Sequence, residues 1–202
     1  MKSRGLFIAL AVVAVIVVGA LALVLWGTGV YNSLVGLDER VQSAWGQVES
    51  QYQRRADLIP NLVSTVKVYA AHEKDVLLGV TEARAKVGQL TVTRDVLEDP
   101  EAFSKFQAAQ DEFSSAISRL LVVAENYPTL KSNENFLSLQ TQLEGTENRI
   151  AVERRRFNEV VQEYNTKIRR IPGSFIAGIA GFREKQYFKA AQGSEKAPEV
   201  KF

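Results

Sequence analysis

From Leu6 to Trp26 the chain carries no charged residue. A helix of this length, 21 residues at about 1.5 Å of rise each, matches the roughly 30 Å hydrocarbon core of a bilayer. A transmembrane anchor is therefore expected over 6–28, behind a short basic N-terminus at 1–5. Lys2 and Arg4 precede the run, and Arg40 is the only basic residue soon after it. The positive-inside rule then puts the N-terminus in the cytoplasm and the rest of the chain outside it, on a single-pass protein. The other reading is a cleaved signal peptide, with Ala20-Leu21-Ala22 imitating a cleavage site. Continuation of the run through Leu23, Val24, Leu25 and the interfacial Trp26 favours retention.

Beyond the anchor, apolar residues recur at spacings of three and four, the period of a helix with one buried stripe. Val30, Leu34, Leu37, Val41, Ala44, Val48 and Tyr52 make the first stripe, with Gly27 and Gly29 as the expected joint to the anchor. Asp57-Leu58-Ile59-Pro60 reads as a capping acid followed by a first-turn proline, which predicts a turn near Arg55 to Ile59 and a second helix behind it. If the chain does not turn there, helices one and two form one kinked rod. The second stripe runs from Leu62 through Val66, Tyr69, Glu73, Val76, Val80, Ala83 and Val87 to Leu90, fraying at Gly88 and Thr91-Val92-Thr93.

Asp99-Pro100-Glu101 predicts the start of a third helix, striped by Phe103, Phe106, Gln110, Phe113, Ile117, Leu120 and Ala124 and stopped by Asn126-Tyr127-Pro128. A fourth is expected from about Ser132 to Ile171, ended by Pro172-Gly173. The predicted fold is all-α: an N-terminal transmembrane helix followed by an antiparallel four-helix (up-down-up-down) bundle over 29–172. An apolar and aromatic membrane-proximal segment follows at 173–189, then a flexible tail at 190–202. Its Val200-Lys201-Phe202 terminus gives a very weak signal for capture by a peptide-binding sheet edge.

Composition removes several kinds of chemistry. With 25 basic and 23 acidic residues the charge is nearly balanced, so no nucleic-acid partner is expected. Cysteine is absent and His72 is the only histidine, next to Glu73 rather than three residues from it. The two side chains diverge by about 100° around a helix, so the Glu-x-x-His pair of a di-iron bundle cannot form. No metal, cofactor or catalytic residue is expected. Glu73, Gln110, Thr146 and Glu153 fall on the seams and need partners there or a solvated edge. Filling one such polar gap with Gln110→Leu is expected to raise stability or leave it unchanged.

Tyr31-Asn32-Ser33-Leu34-Val35, Ala44-Trp45, the run Gln53-Arg54-Arg55-Ala56-Asp57-Leu58-Ile59-Pro60-Asn61-Leu62-Val63 and Tyr69-Ala70-Ala71-His72-Glu73 resemble the LemA family. So do Glu125-Asn126-Tyr127-Pro128, Leu143-Glu144-Gly145-Thr146-Glu147-Asn148-Arg149-Ile150-Ala151, Arg155-Arg156-Phe157-Asn158-Glu159 and Tyr164-Asn165. The resemblance covers roughly Tyr31 to Phe188 and implies a bacterial, membrane-anchored, antiparallel helical bundle. It supplies no catalytic residues.

The expected function is a non-enzymatic scaffold of the bacterial cell envelope, anchored in the inner (cytoplasmic) membrane and self-associating laterally as a homo-oligomer. The alternative is an adaptor for a membrane protease or another envelope quality-control partner. Membrane lipids are expected partners. Candidate interaction residues are Trp45, Arg54, Arg55, Asp57 and Asn61 near the predicted turn, and Phe175, Ile179, Phe182, Tyr187 and Phe188 beside the bilayer. Each group has a purely structural reading beside it: a cap for two helices in the first case, an apolar lid over the bundle's end in the second.

Overall fold

The computed structural model describes residues 2–90 and 94–189. Among them the regular secondary structure is entirely helical: α1 Lys2–Tyr69, α2 Lys74–Gly88, a 3-10 turn Arg94–Leu97, α3 Pro100–Ala124, α4 Pro128–Lys131, α5 Glu134–Arg169 and α6 Gly173–Ala180. The expected fraying at Thr91-Val92-Thr93 and the expected flexible tail at 190–202 lie outside the described residues. The described residues divide into two compact units, one of residues 2–40 and 162–184, the other of residues 41–90, 94–161 and 185–189.

The first unit holds the apolar run, whose large side chains, among them Phe7, Ile16, Leu21, Leu25 and Trp26, stand exposed. It is long and apolar enough to cross a membrane, and none of its most apolar window is buried by protein. Further along α1, Leu34 and Leu37 are buried, as are Tyr164 and Ile168 of α5 in the same unit. Arg40 pairs with Glu163 at 2.9 Å. The Tyr164 hydroxyl donates to the Arg183 carbonyl at 3.0 Å.

Gly173 is required at the start of α6, because a Cβ there would sit 2.1 Å from the Lys167 carbonyl oxygen. Gly181 ends α6 in the left-handed region at φ 78°, where a side chain is strained.

In the second unit one largely aliphatic core draws on five helices: Ile59, Leu62 and Val66 of α1, Leu77, Val80 and Ala83 of α2, Phe113, Ile117 and Leu120 of α3, Leu130 of α4, and Phe136 and Leu143 of α5. Contacts fix the helix senses. Trp45 meets Phe103 and Phe157 at one level, and Arg55 meets Gln110 and Glu147 at the next. Thus α1 and α3 run in the same sense and α5 in the opposite one. Lys86 pairs with Glu112 while Tyr127 reaches back to Glu73, so α2 runs against α3. The caps follow sequence rules: the Asp99 side chain accepts from the backbone N–H groups of Glu101 and Ala102, and that of Asn133 accepts from Phe136 N–H.

Two boundaries differ from expectation. The chain does not turn at Arg55 to Ile59; α1 runs through Pro60 to Tyr69, and the turn falls at Ala70 to Glu73. A proline inside a helix removes the N–H that would bond the carbonyl four residues earlier, here that of Ala56. Arg84 of α2 replaces it, its Nε donating to the Ala56 carbonyl at 2.9 Å. The exposed proline ring faces solvent, so the lost bond is restored from a neighbouring helix and no break is needed. The fourth predicted helix also starts later, at Glu134, because Pro128 opens the separate short α4.

Replacing Arg84 by methionine should lower stability by about 1–2 kcal/mol, the cost of one orphaned carbonyl. In a Pro60→Ala background, where the backbone N–H returns, the same replacement should cost less than half as much. Denaturant unfolding of the four proteins measures the coupling, and additive effects would refute it.

Candidate functional site

The buried guanidinium of Arg55, 2% exposed, stands between the aromatic and aliphatic layers of the second unit. Helical spacing puts Arg55 one turn from Tyr52 and Ile59 on the same buried face. Nη1 donates to Ser114 Oγ at 2.6 Å and to both Glu147 oxygens at 3.0 and 3.1 Å, while Nη2 donates to Gln110 Oε1 at 2.6 Å. The rings of Tyr52 and Phe113 lie 5.3 and 5.1 Å from its central carbon, so aromatic faces take up charge where no hydrogen bond does. The Ser114 hydroxyl also lies 3.0 Å from Glu147 Oε1.

A neighbouring polar pair repeats the pattern. Arg154 of α5 donates to the Tyr52 hydroxyl, faces the Phe188 ring at 4.8 Å and lies 3.4 Å from Asp111. Burial pushes the Tyr52 phenol above its usual 10.0, against the opposing pull of the Arg154 charge and its hydrogen bond.

Next to Arg55 lies a half-open cavity of about 130 Å³, walled by Ser114, Ile117, Leu143, Glu144 and Glu147. Small-molecule pockets usually measure about 300–1,000 Å³. This cavity has room for a few waters, and the cation beside it already has a carboxylate partner.

The structure distributes the ten candidate interaction residues unevenly. Trp45, Arg55 and Phe188 are buried in the second unit and hold it together. Trp45 stacks on Phe188 at 5.9 Å and meets Phe106 and Phe157 edge-on. Phe188 is held by backbone as well as ring: Asn158 donates to its carbonyl at 3.0 Å and accepts from its N–H at 2.9 Å. Gln107 pairs with both backbone groups of Lys189 in the same way. Tyr187, beside Phe188, is half-buried.

Arg54, Asp57 and Asn61 are exposed along α1, within a continuous helix and not at the turn where they were expected. Asp57 accepts from Gln53 Nε2 at 2.8 Å. Phe175 and Ile179 of α6 are exposed in the first unit, where Phe182 is half-buried against Tyr31 at 5.9 Å. The seam residues also find partners: Glu73 accepts from Tyr127, Thr146 bonds the Gln142 carbonyl, and Glu153 pairs with Arg156.

Periodicity missed Glu147, Ser114, Arg154 and Arg84, because none belongs to an apolar stripe; each is visible only through the partner it meets. The backbone clamps at Phe188 and Lys189 had no sequence signal, since an extended segment has no helical period.

Gln110→Leu, expected from sequence to be neutral or stabilising, should instead lower stability by about 2 kcal/mol, because it strips a hydrogen bond from a buried cation. Combining it with Arg55→Met should recover part of that loss in thermal unfolding. The raised Tyr52 value means the folded state keeps its phenolic proton longer than the unfolded one. Its contribution is complete below pH 10.0 and declines as pH climbs past that point. Tyr52→Phe should therefore flatten the alkaline limb of a stability-against-pH curve, and an unchanged limb would contradict the assignment.

Residues 44–202 match the LemA family. Magnetosome proteins MamQ 1 and MamQ 2 of Paramagnetospirillum magneticum are each 30% identical over 175 residues, covering 79% of this chain and 64% of theirs. Magnetosome protein MamQ of Magnetospirillum gryphiswaldense is 29% identical over 174 residues, covering 78% and 64%. The match thus spans slightly less than two thirds of each relative's length. With more than half its residues inside the family match, the chain belongs to the LemA family.

Proposed function

We propose that the protein is a non-enzymatic, membrane-anchored scaffold of the bacterial cell envelope that associates laterally with copies of itself. Its LemA membership and its magnetosome relatives support a membrane-associated envelope or magnetosome protein. The exposed apolar run near the N-terminus fits the anchor. The observation that supports the scaffold reading is the polar network at Arg55: its buried charge meets Glu147, Gln110 and Ser114, all from the same chain. Polar groups committed to each other fix helix register, as a rigid scaffold requires.

Anchoring confines copies to two dimensions and raises their effective concentration, so weak side-to-side contacts suffice for assembly. The outward Arg54, Asp57 and Asn61 offer polar contacts of this kind on α1.

Mass measurement of the full chain in mild detergent tests the reading. A uniform particle of several 22.4 kDa chains is expected, with the double exchange Arg54→Glu and Asp57→Lys weakening assembly about tenfold at unchanged melting temperature. A monomer that co-purifies with a membrane protease would replace the scaffold with the adaptor.

A further inference from the structure

The helix α6 leaves an apolar face with no protein over it. Phe175 is 68% exposed, Ile179 86% and the preceding Ile171 78%, whereas Gly173 and Ala177 on the opposite face are buried. Phe175 and Ile179 are one turn apart, so they point the same way. At eight residues, about 12 Å, the helix is far too short to cross a bilayer.

Its position in the first unit is specific. Ile176 stands 3.8 Å from where a Gly27 Cβ would be, and Phe182 meets Tyr31. Gly27 directly follows Trp26, the last residue of the apolar run, and Tyr31 lies about one helical turn beyond Gly27, so α6 sits where that run ends. Flanking positions are mainly basic: Lys167, Arg169, Arg170 and Arg183 are all exposed, against the acids Glu163 and Glu184. Glu163 is paired with Arg40, and Glu184 approaches Arg169 at 3.9 Å.

We infer that α6 is a second membrane contact, lying in the interface with Phe175 and Ile179 among the upper acyl chains and the flanking bases on anionic headgroups. An apolar face rimmed by cations is what such a surface receives. Contact at this point would fix how the end of α5 meets the bilayer, which one spanning helix leaves free to tilt and rotate. The inference rests on reading the apolar run as a membrane anchor.

The chain has no cysteine, so Ile179→Cys, Phe175→Cys and Ile16→Cys each give a unique site for an environment-sensitive fluorophore on the full-length protein. The labelled proteins are reconstituted into phosphatidylcholine–phosphatidylglycerol vesicles and quenched with lipid nitroxides or aqueous iodide. Labels at 179 and 175 should be quenched at least about threefold more by a nitroxide high on the acyl chain than by one at the bilayer centre. The label at 16 should show the reverse. Omitting phosphatidylglycerol should weaken quenching at 179 and leave that at 16 unchanged.

Iodide access at 179 and 175 with lipid quenching intact at 16 would overturn the inference and leave the anchor standing. Lack of lipid quenching at all three sites would remove the anchor and the inference together. Shielding of 179 and 175 from both quenchers would mean that protein covers the face, and would overturn it as well.

Discussion

A buried guanidinium is costly to take out of water, and the second unit is arranged around meeting that cost at Arg55. Its acceptors come from two other helices: Gln110 and Ser114 of α3, Glu147 of α5. Sliding any of the three helices by one turn would separate a donor from its acceptor by about 5 Å and leave a charge without a partner. Apolar contacts constrain register less sharply, because they carry no donor–acceptor direction. Arg55 therefore determines which of many greasy alignments is adopted, and the aromatic and aliphatic layers on either side of it supply the bulk of the cohesion.

The same logic explains the uninterrupted α1. Pro60 weakens the helix at one bond, and Arg84 restores the missing donor from α2. The helix thereby depends on its neighbour at the point where it would otherwise break. Asn158 and Gln107 extend the pattern to non-helical chain, each side-chain amide satisfying both backbone groups of one residue in the segment that carries Phe188 into the aromatic layer. At these three places a side chain on a helix completes backbone hydrogen bonding that the backbone does not supply for itself.

This division also explains what was legible in the sequence. Stripes and caps are local, so Phe103 to Ala124 and the Asp99 cap read correctly from spacing alone, and the apolar run is helical over a length that fits a membrane anchor. Pro60 misled because its compensation is 24 residues away in sequence, where Arg84 looks like any other surface base. Trp45, Arg55 and Phe188 looked like contact residues because bulky and charged side chains suit interfaces equally well. Only the positions of Phe103, Gln110 and Asn158 on other helices decide that they face inward.

The two units place their apolar surface differently, and that contrast bears on the environment each fits. In the second unit Trp45, Phe103, Phe106 and Phe157 lie inside, and the exposed residues of α1 at 54, 57 and 61 are polar, while scattered apolar residues such as Val68, Leu78 and Val122 stay exposed. In the first unit Phe7 and the large apolar residues from Leu10 to Trp26 are exposed, as are Phe175 and Ile179. Burial of apolar surface drives folding in water, so a helix that keeps this much outside has its favourable solvent elsewhere. A bilayer supplies that solvent with no matching protein surface needed, because hydrocarbon makes no demand on register. Register then has to be set where polar partners can be specified, among the helices that surround Arg55.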